Sequence, residues 1–131
     1  MPKYRTELFG QLIYSPEISY ADLLPLEEEL IAFARQTLEQ FNGRHISFEP
    51  EGDHTFFQCV FQRFEDSFFT SIGQTLKQKI DVRVEGKLFF VDKALSAVYF
   101  YALNKDALQA RKMVLPAAGP IDKAMSEGKV Y

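Results

Sequence analysis

The stretch of residues 95–103 is apolar on both of its sides, and this constrains the fold more than any other feature of the sequence. If it forms a strand, Tyr99 and Tyr101 point to one face while Val98 and Phe100 point to the other. A strand with two apolar faces has to be covered on both of them. We therefore expect a sheet that needs more cover than one layer of helices can provide.

Two helices are predicted from the spacing of apolar residues. Apolar side chains recur at intervals of three and four over residues 22–42, and Gly43 follows as a stop. A second helix is predicted after residues 65–67, which offer N-caps, and its apolar spacing continues to Ile80. Both helices are expected to lay one apolar stripe against a sheet.

A hairpin is predicted between the two helices. Residues 44–50 and 54–64 read as strands, and Gly52-Asp53 between them fits a two-residue turn with glycine first. This turn places Glu51 opposite His54 and separates two faces, which a one-residue slip would mix. The predicted buried face holds Ile46, Phe48, Phe57, Cys59 and Phe61. The other face holds His45, Ser47, Glu49, Phe56, Gln58, Val60 and Gln62, so that His45 lies opposite Val60.

Further strands are predicted over residues 4–14, 82–91 and 95–103. Residues 104–115 fit either a helix capped by Asn104 or another meander strand, and we favour the strand. The order of elements is then β-α-β-β-α-β-β, followed by this additional element.

This order predicts an α+β fold for a single domain over residues 1–115, with an antiparallel sheet and two helices on one face. Its first six elements match the ferredoxin-like βαββαβ arrangement, with C-terminal meander strands added. A profilin-like layout, with helices on both sides of the sheet, is the alternative. Residues 116–131 are expected to form a C-terminal arm or tail.

Composition argues against several classes of function. The net charge of −3 disfavours nucleic acids and anionic membranes as partners. The strand over residues 54–61 has aromatic side chains but lacks the basic, glycine-rich signature of RNA-recognition motifs. We find neither a signal peptide nor an apolar run long enough to span a bilayer, so we expect a cytoplasmic protein.

No catalytic or metal-binding constellation is predicted. In the predicted hairpin His45 and His54 lie roughly 20 Å apart and cannot ligate one ion. Cys59, the single cysteine, is expected to be a buried apolar residue rather than a nucleophile. Phosphate-binding glycine loops and nucleophile elbows are absent from the sequence. We therefore expect no catalytic residue, no metal and no cofactor.

The chain has 13 Phe and 6 Tyr, and not all of them fit a core between two helices and a sheet. We therefore predict a non-catalytic interaction module that forms a homodimer, or binds another protein, through an aromatic sheet face. The alternative is a small-molecule-binding protein or enzyme with an aromatic-lined pocket. The candidate ligand or interface residues are Phe56, Val60, Phe89, Tyr99, Tyr101, His45 and Arg63.

Overall fold

The computed structural model describes residues 4–94 and 97–114, and within these residues there are six strands and two helices. The strands are β1 (Thr6–Tyr14), β2 (Arg44–Glu51), β3 (His54–Phe61), β4 (Val84–Asp92), β5 (Ala97–Leu103) and β6 (Leu108–Val114). The helices are α1 (Tyr20–Gln40) and α2 (Asp66–Lys77). All strands form one antiparallel sheet in the order β2-β3-β1-β4-β5-β6.

This architecture confirms the predicted α+β class and antiparallel sheet. The order β2-β3-β1-β4 is compatible with the ferredoxin-like arrangement, to which β5 and β6 add a meander. Residues 95 and 96, which the prediction assigned to the fifth strand, lie outside the described residues, as does the predicted arm over residues 116–131.

Both helices cover the same face of the sheet, which we call the helix face. Leu30 and Leu38 of α1 and Phe69 and Ile72 of α2 are buried in one core with the inward side chains of the strands. In the described part of the chain, no helix or strand lies over the opposite face, which we call the open face. The strand residues of the helix face include Leu8, Leu12, Phe57, Phe61, Leu88 and Phe90.

The middle of β1 depends on a glycine. Gly10 pairs with Phe57 of β3, and the Phe57 ring occupies the space that a Cβ at residue 10 would need. Any side chain at this position would overlap the ring. A glycine in a strand interior weakens the strand, but here it admits the backbone close to an aromatic ring.

The hairpin of β2 and β3 confirms most of the predicted register. Glu51 pairs with His54, Phe48 pairs with Phe57, and Gly52 takes a φ of 64° in the turn. The pairing predicted for His45 is wrong, because a bulge between Arg44 and Ser47 places Arg44 opposite Val60. The inserted residue leaves the alternation from residue 46 onward intact, so the sequence pattern carries no sign of it.

The start of α1 and the end of α2 differ from the predicted helix boundaries. Helix α1 begins two residues early, because the hydroxyl of Ser19 accepts a hydrogen bond from Asp22 N at 3.2 Å. Pro25 therefore lies inside the helix rather than in its first turn. Helix α2 ends at Lys77, and Ile80 reaches the core from the following turn rather than from the helix.

Residues 108–114 form the strand that the prediction favoured over a helix. The Oδ1 atom of Asn104 accepts hydrogen bonds from the backbone N–H groups of Asp106 and Ala107, each at 2.8 Å. This side chain therefore closes a turn instead of capping a helix.

We predict that Gly10→Ala lowers the free energy of unfolding by about 1–3 kcal/mol, since the new methyl group meets the Phe57 ring. Urea denaturation monitored by circular dichroism measures the loss. The same substitution in a Phe57→Leu background, where the ring is gone, is expected to cost less. An equal cost in both backgrounds would show that the ring contact is not the cause.

Candidate interaction surface

Pairing across three strands brings aromatic rings together on the open face. Phe9 of β1 pairs with Phe89 of β4, which in turn pairs with Phe100 of β5. The ring centroids of Phe89 and Phe100 are 4.8 Å apart with a tilt of 36° between the rings. These three residues form one row across the middle of the sheet.

An aliphatic row lies beside this aromatic row. Val91 pairs with Val98, and Val98 pairs with Met113 of β6. The two valines are buried and form a second small cluster, separate from the core beneath the helices. We call the two rows together the aromatic patch, which consists of Phe9, Phe89, Phe100, Val91, Val98 and Met113.

Polar and charged side chains surround the aromatic patch. Glu7 and Gln11 flank Phe9 along β1, and Lys87 and Arg111 lie on β4 and β6. Glu7 carries a long ion pair to Lys93, 3.9 Å from Oε2 to Nζ. An apolar centre with a polar rim of mixed charge is the usual anatomy of a protein–protein interface.

Three of the predicted candidate residues lie on the open face. Phe89 is part of the aromatic patch, whereas Phe56 and Val60 lie on β3, on the far side of β1. Phe56 is 38% exposed and its ring lies near that of His54, with centroids 6.0 Å apart. These residues extend the apolar surface toward β2.

Sequence reasoning did not single out Phe9 or Met113 for this surface. The sequence held a usable signal for Phe9. Alternate residues of a strand share a face, so Phe9 had to lie on the face of β1 that carries Glu7 and Gln11. Met113 had no such signal, since its place depends on how β6 pairs with β5.

Tyr99 and Tyr101 lie on the helix face instead. Tyr101 is fully buried, and its hydroxyl donates a hydrogen bond of 2.9 Å to Asp66 Oδ1 at the start of α2. Thr70 Oγ1 lies 3.0 Å from the same hydroxyl. Tyr99 joins the aromatic core with its ring centroid 5.6 Å from that of Phe69. Tyr101 thus anchors α2 to the sheet.

Tyr14 anchors α1 in a similar way. Its buried hydroxyl lies 2.8 Å from Thr55 Oγ1, and Thr55 donates a longer hydrogen bond of 3.4 Å to Glu27 Oε2. Burial raises the pKa of Tyr14 to about 12, and the negative charge of Glu27 acts in the same direction. Burial likewise raises the pKa of Tyr101 to about 12.

The remaining two candidate residues, His45 and Arg63, are not part of the aromatic patch. His45 has a φ of 54° in the bulge of β2, and its ring meets the Tyr4 ring edge-on at 5.4 Å. Arg63 lies over the Phe68 ring and forms a 2.7 Å ion pair with Glu65. That pairing uses the carboxylate of Glu65, which makes no capping bond to α2 although it is the N-cap residue.

Cys59 is buried in the core, as predicted, and burial raises the pKa of its thiol to about 12. A buried neutral thiol is a poor nucleophile. Over residues 4–94 and 97–114, no three His, Cys, Asp or Glu side chains are grouped so that they could hold a metal ion. Neither of the two helices in this part of the chain is long and apolar enough to cross a membrane.

Comparison with known proteins adds no further constraint: no protein-family model matches this chain, and no curated protein matches its sequence.

We predict that the protein loses stability in alkali over a defined pH window. The pKa values of Cys59, Tyr14 and Tyr101 are raised from 9.0, 10.0 and 10.0 to about 12 on folding. Above pH 9 the unfolded chain therefore releases protons that the folded chain keeps, so the free energy of unfolding falls as pH rises toward 12. The limiting slope is about 1.4 kcal/mol per pH unit for each group.

Urea denaturation at intervals between pH 7 and pH 11 measures this slope. Tyr14→Phe and Cys59→Ala each remove one titrating group, and each variant is expected to show a shallower decline than the wild type. If the free energy of unfolding of both variants fell as steeply with pH as that of the wild type, the assignment of the titrating groups would be contradicted.

Proposed function

We propose that this protein is a non-catalytic interaction module that forms a homodimer through its open sheet face. The observation that carries this proposal is the aromatic patch, in which four half-buried side chains (Phe9, Phe89, Phe100 and Met113) adjoin the buried Val91 and Val98 on four adjacent strands, with no described element over them. Contiguous apolar surface rimmed by polar residues is typical of contact sites between proteins.

The dimensions of the open face suit a dimer. Six strands at a spacing of about 4.8 Å make the sheet about 24 Å wide, and a seven-residue strand is about 23 Å long. A corrugated face of this extent is of the same order as the roughly 800 Å² that each partner contributes to a stable interface. Two such sheets would stack about 10 Å apart, with their rings interleaved.

Symmetry favours a second copy over an unrelated partner as the first occupant to test. A two-fold axis in the plane between the sheets makes one patch serve both chains, and such isologous dimers are the commonest oligomers. A cytoplasmic location is part of this proposal, because a single unpaired cysteine suits a reducing compartment.

Light scattering coupled to size-exclusion chromatography tests the dimer. We expect a mass near 30 kDa for the wild type, twice the 15.1 kDa of one chain, and a monomer for Phe89→Asp, which places a charge in the patch. Val82→Asp is the matched control, because Val82 is 78% exposed in the turn before β4 and lies outside the patch. This control should remain dimeric.

Gln58→Arg is a second test variant, which keeps the dimer proposal testable if Phe89→Asp fails to fold. Gln58 is exposed on β3 and pairs with Phe9, so an arginine there adds charge beside the patch without removing any core side chain. We expect its dimer dissociation constant to rise about tenfold or more. A wild-type protein that is monomeric at 100 µM would overturn the proposal.

A second candidate function rests on a cavity between the two helices. It has a volume of about 440 Å³, and two aromatic rings lie in it beside five amide- or hydroxyl-bearing side chains that could orient a polar small molecule. Its lining residues are Phe33, Gln36, Thr37, Gln40, Phe41, Thr75 and Gln78. A compound seated here would contact α1, α2 and the turn after α2.

A thermal-shift screen of metabolites tests this candidate. A ligand of this cavity should raise the melting temperature of the wild type and lose its effect in Gln40→Ala, while Gln109→Ala on β6 serves as the control. A stabilising ligand that acts equally on both variants would exclude the cavity as its site.

A further inference from the structure

The two edges of the sheet differ in how well they are protected against added strands. The edge strand β2 contains a bulge, a residue with a φ of 54° at His45, and Pro50, which lacks an N–H group. These are the features by which proteins block unwanted pairing at an edge. The opposite edge, β6, pairs with β5 through seven consecutive positions without a bulge or a proline.

The hydrogen-bond pattern shows which backbone groups of β6 face outward. Asn104 N donates to Ala107 O at 3.0 Å, and hydrogen-bonded pairs alternate with non-bonded pairs along an antiparallel ladder. Gln109 and Arg111 therefore direct their N–H and C=O groups toward β5. The backbone groups of the alternate residues Leu108, Ala110 and Lys112 point away from the sheet, and no strand in the described ranges pairs with them.

The outer edge of β6 is positively charged. Arg111 and Lys112 are exposed and point to opposite faces of the sheet, and Lys105 lies in the adjoining turn. Within the part of the chain that the structure describes, these three side chains form no ion pair with a carboxylate. Lys77 adds a fourth cation, since its Nζ donates to Lys105 O at 3.0 Å, and the turn contributes one acid, Asp106.

From this edge we infer a second interaction site, which adjoins the aromatic patch and shares Arg111 with its rim: β6 binds an acidic, extended segment of another protein as an added strand. The main-chain groups of Leu108, Ala110 and Lys112 supply the hydrogen bonds of the new ladder. Neighbouring acids on the added strand reach Arg111 on one face and Lys112 on the other.

Repulsion between like charges disfavours pairing of β6 with the β6 strand of a second copy. Pairing β6 with its own copy would bring Arg111 and Lys112 of both chains into one short ribbon, where like charges are destabilising. An acidic segment instead neutralises these cations. The site is therefore selective for a different chain, whereas the aromatic patch suits an identical one.

A blocked heptapeptide, Val-Thr-Glu-Glu-Val-Thr-Val, is the probe, and its twin with lysine in place of both glutamates is the matched control peptide. We follow backbone amide resonances of the labelled protein during titration in 50 mM NaCl. The acidic peptide is expected to shift the amides of Ala110 and Lys112 most, and to bind at least about tenfold more tightly than its basic twin. This preference should shrink in 500 mM NaCl.

Ala110→Pro is the decisive variant. It removes an outward N–H group while leaving the ladder to β5 intact, and proline is tolerated at such edge positions. We expect loss of peptide binding with no change in oligomeric state, whereas Ala110→Ser, which keeps the N–H group, should bind like the wild type. Arg111→Glu combined with Lys112→Glu should weaken the acidic peptide at least about tenfold.

Four results would overturn the inference: equal affinity for both peptides, unchanged binding in Ala110→Pro, the largest shifts on β1 and β4 instead of β6, or the absence of any shift at millimolar acidic peptide. None of these results bears on the homodimer, because the dimer is measured by mass and the edge by amide shifts.

Discussion

The ring of Phe57 lies across the backbone of Gly10, and the register of the sheet depends on this contact. Strand β1 is central in the chain's pairing, with β3 on one side and β4 on the other, so its register is passed on to both halves of the sheet. A shift of one residue would place a side chain under the ring and turn the buried leucines of β1 to the open face. The glycine thus favours the register in which the helices cover Leu8 and Leu12.

The division into two unequal faces follows from that register. The hydroxyl of Tyr101 bonds to Asp66 at the start of α2, and that of Tyr14 reaches Glu27 in the first half of α1 through Thr55 of β3, so each tyrosine ends in a network with a threonine and a carboxylate. Both helices are thereby held on one side. The aromatic patch lies on the opposite side, where we propose the dimer contact, and the β6 edge is the second contact that we infer.

Much of this could be predicted because the signals are local. The faces of the hairpin followed from the turn at Gly52 and the alternation around Phe57, and the burial of Cys59 followed from the same register. The bulge at His45 could not be predicted, since an inserted residue leaves no mark on the alternation that follows it. Of the candidate interface residues, Phe89 lies on the open face, whereas Tyr99 and Tyr101 are core residues beneath α2, because their place depends on which face of the sheet α2 covers.

By itself, the sequence determined the periodicities, and hence the helices, most of the strands and the alternation of side chains between two faces. Only the tertiary structure decided which face the helices cover and which strands are neighbours. The physical reason is that alternation determines which side chains of one strand share a face. Which side chains of different strands lie side by side is determined by the pairing of strands that are distant in the chain. Phe9, Phe89 and Phe100 are far apart in the chain and become one row only through that pairing.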